Sequence, residues 1–172
     1  MFSNSKKLKS NNLIQPIFIE EGLKSKKMIK GLGENYSHSI STAKKTIQSD
    51  LKKGVKNFIF FIVPKNKQKI PEDFNFHYQA LSSIKQTFGK SLNMIVDTCL
   101  CSMTEDGHCG VVHKNTINLK QTHQSLGIAA DTYIQAGADI IAPSDMMKDT
   151  TKYLNSLFKK KKFKTPIMSY ST

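Results

Sequence analysis

NMIVDTCLCSMTEDGHCGVV, residues Asn93 to Val112, is the stretch on which the reading of this chain turns. It holds all three cysteines, spaced as Cys99-x-Cys101 and then Cys109 after seven intervening residues. Asp97 stands just upstream, His108 directly precedes the last cysteine, and Gly107 and Gly110 bracket that pair. The apolar run Leu92 to Val96 leads in and reads as a buried strand. A strand therefore ends in a polar loop that carries thiols, a carboxylate and an imidazole.

Three thiols in one short loop suit a soft or borderline metal, and zinc is the default. A structural zinc site closes with four protein ligands, whereas three leave a position for water or substrate. His108 is a further candidate ligand, but its bond to Cys109 restricts simultaneous ligation. The plain alternative is three free thiols in a reducing cytosol. A disulfide framework is disfavoured, because three is odd and a chain of this length needs no staples.

At 172 residues the chain can bury one good core. No apolar run approaches the roughly 20 residues of a membrane span. The opening MFSNSKKLKSNN has basic residues but no apolar segment of the kind a secretory signal needs. It is also short for a transit peptide, and the expected location is the cytoplasm. Net charge is +13, and all 26 basic residues are lysine. A nucleic-acid binder would use arginine for bidentate phosphate and base contacts, so no nucleic-acid partner is expected. The run Lys159 to Lys162 reads as a solvated helix end, where cations also suit the macrodipole.

Residues 1–12 read as a polar arm, and 13–172 as one domain. Leu13–Ile19 reads as the first strand, with residues 20–40 as a glycine-containing loop. Ser39 or Ser41 can cap a helix apolar at Ala43, Ile47 and Leu51, stopped by Gly54. Val55–Val63 reads as the second strand. Tyr78, Leu81, Ile84 and Phe88 recur at helical spacing as core, and His77 has no assigned role. After the third strand and the cysteine loop, a helix is expected over Leu119–Gln135, stopped by Gly137. Asp139–Ala142 is the fourth strand. Pro143 to Met147 turns into a fourth helix carrying Tyr153, Leu154, Leu157 and Phe158, with Ser144 and Asp145 as candidate N-caps. Pro166-Ile167-Met168 begins a fifth strand.

Repeated alternation of strand and helix implies parallel strands with right-handed crossovers. An open doubly wound sheet and a (β/α)8 barrel both fit. No phosphate-binding glycine motif supports the first, and polar clusters after strands three, four and five suit the catalytic rim of the second.

The motifs themselves decide more. DTCLC…DGHCG resembles the zinc loop of porphobilinogen synthase, also called delta-aminolevulinic acid dehydratase, which reads close to DVCLCxYTxHGHCG. The departures are Met103, Glu105 and Asp106, where the family has Tyr, a small residue and His. LIQPIFIEEG (13–22) is similar to the family's LIxPLFVxEG. GADIIAPSDMM (137–147) is nearly the family's GADIVAPSDMM, and PIMSYS (166–171) equals its fifth strand. The family's MPGVxRxS segment survives only in part, at residues 29–37.

This resemblance implies an α/β fold: about five strands forming the N-terminal part of a (β/α)8 TIM barrel. It implies a lyase of haem and porphyrin biosynthesis that condenses two molecules of 5-aminolevulinate into porphobilinogen. It places zinc on Cys99, Cys101 and Cys109, with His108 as a further candidate, and Asp97, Ser144 and Asp145 near the substrate. The family holds its substrates on two lysines, one following the fifth-strand motif and one on the sixth strand. Neither falls within these 172 residues, and a whole barrel takes roughly 250. The expectation is thus a chain inactive by itself, working as a homo-oligomer or with a complementary C-terminal half. The alternative is a zinc-binding remnant without catalysis.

Overall fold

A computed structural model describes residues 9–170, so most of the polar arm (1–8) and the last two residues of the expected fifth strand lie outside it. Among the described residues seven further strands follow the first, β1 (Ile14–Glu20). They are β2 (Lys27–Met28), β3 (Tyr36–His38), β4 (Asn57–Val63), β5 (Asn93–Thr98), β6 (Val112–His113), β7 (Thr116–Ile117) and β8 (Ile140–Pro143). The helices are α1 (Ile40–Lys52), α2 (Asn75–Phe88), α3 (Leu119–Gln135) and α4 (Thr150–Lys161). The main sheet runs β2-β3-β1-β4-β5-β8, and every pair from β3 to β8 is parallel. β6 and β7 pair apart from the main sheet.

Alternation along each strand separates two faces. Ile17, Ile19, Phe58, Phe60, Met94, Val96 and Ile141 point to the helices and join the main core. Ile59, Ile95 and Ala142 point the other way, packed with half-buried Phe61, Ile140 and Met168. Phe18 and Phe61 stack on this second side with centroids 4.9 Å apart. A sheet apolar on both faces belongs to a fold that covers both. Helices cover one, and the other carries the smaller apolar layer.

Each helix follows from its sequence. Ser39 caps α1 by accepting from the Thr42 amide at 3.3 Å, and Ala43 and Ile47 are its buried stripe. The bounds expected for α3 are the ones observed, with Leu126, Ala129, Ala130 and Tyr133 buried. Gly137 follows it at φ +101°, and a Cβ there would lie 2.6 Å from Lys85 Cγ. The turn thus brings Asp139 onto α2, where Lys85 Nζ meets its carboxylate at 2.7 Å and the Met94 amide donates to it at 2.7 Å. Among the described residues no helix is long and apolar enough to cross a membrane.

Three expectations change. Residues 20–40 are not all loop, because β3 pairs with β1 at Phe18↔Ser37 and Ile19↔His38, and β2 pairs with β3. These strands are too short to show periodicity. In α2 the buried stripe runs through His77, Ala80, Leu81 and Ile84, while Tyr78 is 44% exposed. One residue of phase on the helix replaces a phenol with an imidazole in the core. The last helix begins at Thr150, with Asp149 in the N-cap position at φ 63° and making no side-chain capping bond, so neither Ser144 nor Asp145 is its N-cap. The start of the fifth strand is present as a single parallel bridge, Ile141↔Ile167, with Ile141 N donating to Pro166 O and Met168 N to Ile141 O.

Gly137→Ala is expected to cost at least about 1 kcal/mol, because an L residue is strained there and its methyl displaces Lys85. Urea denaturation of the variant checks this, and an unchanged midpoint would contradict the packing described.

Candidate metal centre and strand-end site

Parallel register brings the strand ends together. Asp97 lies opposite Ala142 and Thr98 opposite Pro143, which sets Ser144 beside the Asp97 carboxylate. Ser144 Oγ donates to Asp97 Oδ1 at 2.6 Å. The Tyr170 hydroxyl, arriving from beyond the bridge at Ile167, donates to the same oxygen. Burial pushes the Asp97 pKa above its ordinary value, the two hydroxyl bonds pull it back, and the nearby Asp145 adds to the rise.

The cysteine loop is anchored before it is polar. Leu100 and Met103 are fully buried, and a turn closes where the Met103 and Thr104 amides donate to Leu100 O. Met103, one of the departures from the family pattern, thus fills the core. Thr104 Oγ1 donates to His108 O at 2.8 Å, and Asp106 Oδ1 accepts from the His108 amide at 3.0 Å. Gly110 is where the loop returns against α3: a Cβ there would lie 2.9 Å from Met147 Sδ and 3.2 Å from Thr122 Oγ1. The Val111 amide then donates to Thr122 Oγ1. From the β4–α2 connection, Lys67 Nζ donates to Ser102 O and the Gln68 amide to Met103 O.

This frame gathers the three thiols. The sulfurs of Cys99, Cys101 and Cys109 all lie within 4.8 Å of one another. Sulfurs on a tetrahedral zinc stand roughly 3.8 Å apart, given Zn–S bonds of about 2.3 Å, so the donor set fits such an ion. Cys99 is buried, Cys109 half-buried and Cys101 exposed. A hydrogen bond from the Cys99 thiol to the Cys101 sulfur lowers the Cys101 pKa to about 6. The same bond, with burial, pushes Cys99 up. His108 Nδ1 is engaged within the loop, where it accepts from the Gly110 amide at 3.0 Å. Asp145 is set apart from the thiols. Its Oδ1 accepts from the Met147 amide and Thr150 Oγ1, which holds the turn into α4.

Beside the thiols lies a cavity of about 210 Å³, walled by Asp97, Cys99, Cys101, Phe61, His77 and Tyr133 among others. Sequence reasoning gave His77 no role and Tyr133 only a place in the core. They stack with centroids 5.5 Å apart, and Phe74 meets both edge-on. His77 is 2% exposed, and burial followed by the Lys67 charge lowers its pKa to about 3. It is therefore a neutral imidazole at ordinary pH. The helical spacing 77, 81, 84, 88 was the available signal for its burial. For Tyr170 the signal was its place at the end of PIMSYS.

An arc of parallel strands with a thiol cluster at its C-terminal rim defines a segment of a (β/α)8 barrel bearing a candidate metal centre. A model of the delta-aminolevulinic acid dehydratase family matches residues 1–172, and the chain belongs to that family. It is 37% identical over 170 residues to the delta-aminolevulinic acid dehydratase of Ruminiclostridium josui, covering 96% of this chain and 82% of that protein. Identity to the enzymes of Archaeoglobus fulgidus and Bacillus subtilis is 35% and 32%, covering 96% of this chain and 52% of each. The fold is that of the crystal structure of delta-aminolevulinic acid dehydratase (porphobilinogen synthase) from Toxoplasma gondii, a complex with the reaction product porphobilinogen. The TM-score is 0.88 at 23% identity, over 95% of this chain and 48% of that one. The chain thus spans about half the length of most of these relatives.

Two outcomes follow from the local chemistry. In reduced, metal-free protein, iodoacetamide should alkylate Cys101 first and Cys99 last, with the Cys101 rate rising through a midpoint near pH 6; mass mapping of the adducts reads the order, and early labelling of Cys99 would contradict it. His77 binds its proton more weakly folded than unfolded, so its contribution to stability is complete above about pH 6.5 and is lost as pH falls toward 3. The slope approaches about 1.4 kcal/mol per pH unit in that window. Urea titrations should show His77→Phe flattening it; an unaltered slope would mean that His77 is not the buried neutral group described.

Proposed function

We propose that this chain carries the zinc-binding portion of a porphobilinogen synthase, which joins two molecules of 5-aminolevulinate into porphobilinogen with loss of two waters. The observation that carries the reading is the triad of thiol sulfurs within 4.8 Å at the end of the strand that also presents Asp97. Cys99, Cys101 and Cys109 would hold the ion and leave a position open for substrate. Bound zinc would supply Lewis-acid polarisation of a substrate oxygen or nitrogen. The Ser144 and Tyr170 hydroxyls both occupy Asp97 Oδ1, which leaves Oδ2 to accept a proton or hydrogen bond from a substrate amine. Asp145 shapes the rim through its turn. His77, Tyr133 and Phe61 keep water from the far wall of the cavity.

Residues 13–172 act in this reading as one partial barrel behind an N-terminal arm, in the reducing cytoplasm that keeps the thiols free. The half-exposed inner layer of Phe61, Ile140 and Met168 supports completion by further strands, from a complementary segment or within a homo-oligomer. Covalent capture of 5-aminolevulinate needs a lysine with a depressed pKa facing the site. No lysine lines the thiol cavity among the described residues. That observation also favours the second reading, a zinc-binding remnant without catalysis.

Anaerobically purified protein should contain about one zinc per chain, and Cys101→Ala should lose most of it. Residues 1–172 alone should form no porphobilinogen from 5-aminolevulinate, whereas mixing with the remaining strands of a related enzyme should restore formation. Metal content near zero would contradict the zinc assignment. Zinc without activity on mixing would favour the remnant.

A further inference from the structure

At the opposite end of the strands, a groove of about 760 Å³ opens between α1 and α2. Its walls include Lys44, Lys45 and Lys52 from α1, Lys56 just before β4, and Lys90 just before β5. Its floor includes Leu51, Phe88 and Leu92. Because β5 runs from Asn93 at this groove to Thr98 at the thiol loop, the two sites lie at opposite ends of the sheet.

Its lining separates this groove from a lysine-rich surface in general. Five of its twelve lining residues are lysine, against 26 basic residues in the whole chain of 172, and none is acidic. Four lysines elsewhere find carboxylates: Lys27 with Glu20, Lys53 with Asp50, Lys85 with Asp139 and Lys161 with Asp131. Among the described residues, none of the five groove lysines is in an ion pair. The C-terminal ends of α1 and α2 offset part of their charge, each by about half an elementary charge. Most of it remains uncompensated. A concave site of a few hundred Å³ with an apolar floor and converging charges is the usual form of a small-molecule pocket.

We propose that this groove binds a small organic anion carrying two or more acidic groups on an apolar body. The ammonium groups would take the acidic groups, and Leu51, Phe88 and Leu92 would cover the body. Lysine suits this role because its charge sits on a flexible stem that adapts to spacing, where arginine would impose a fork. The site is independent of the thiol cluster, and metal-free protein serves equally well to test it.

The probe is benzene-1,2,4,5-tetracarboxylate, titrated calorimetrically into the 172-residue chain at low salt and neutral pH, with inorganic phosphate as the comparison without an apolar body. Tetracarboxylate should bind with saturation, more tightly than phosphate, and more weakly as salt is raised. Lys52→Gln combined with Lys56→Gln should weaken it by about tenfold or more. Lys159→Gln combined with Lys160→Gln removes the same charge from the end of α4 and should change affinity by no more than about twofold. Equal weakening by both double variants would reduce the effect to net charge and overturn the proposal. So would phosphate binding as well as tetracarboxylate. Tighter binding of a single-stranded oligonucleotide at the same lysines would also overturn it, in favour of a macromolecular polyanion.

Discussion

The hydrogen bond from Ser144 to Asp97 ties together the two strand ends on which the site depends. It exists because β5 and β8 are parallel and in the register that sets Asp97 against Ala142. A one-residue slip would send Asp97 into the helix layer and Thr98 into the cavity, since successive side chains face opposite ways. That register rests in turn on the packing behind it. Asp139 accepts the Met94 amide and pairs with Lys85, which pins the start of β8 to both β5 and α2. Gly137 makes the approach sterically possible. The site at one end of the sheet is therefore positioned by a turn and an ion pair at the other.

Charge explains why such a site calls for a cation. Asp97 and the thiols of Cys99 and Cys101 line the cavity with Cys109 close to both, and the imidazole in the wall, His77, is held neutral by burial. Asp97 itself opposes ionisation of Cys101, while the Cys99 thiol favours it by hydrogen bonding. Among the described residues no lysine lines this cavity. An anionic pocket without a protein cation is a poor place for buried thiolates, because desolvation and like charge both raise their pKa. A divalent ion reverses that balance by stabilising the thiolates directly. The lysine groove at the far end shows the inverse arrangement, with cations gathered and carboxylates absent.

Much of this was legible in the residues. The three cysteines, Asp97 and Ser144 were marked by motif and by their places after apolar runs, and the structure brings Asp97 and Ser144 into contact. The helix over Leu119–Gln135 was legible because its stripe is long and Gly137 ends it. What escaped was short or set by tertiary contact. Two- and three-residue strands such as β2 and β3 carry no period. Ser144 and Asp145 looked like helix caps because both residue types cap helices, yet the backbone takes one more turn, bound to Asp145, before α4 begins. His77 read as an unassigned polar residue beside a stripe. Only the packing of α2 on α3 shows that it stacks on Tyr133 behind the thiols.

The account stands on one claim, that the three thiols form a metal site with a position left open. X-ray absorption at the zinc edge of the metal-loaded chain tests it most directly. The account predicts three sulfur neighbours at about 2.3 Å and one lighter neighbour, oxygen or nitrogen, nearer 2.0 Å. A first shell with no sulfur, or with a single sulfur, would contradict it.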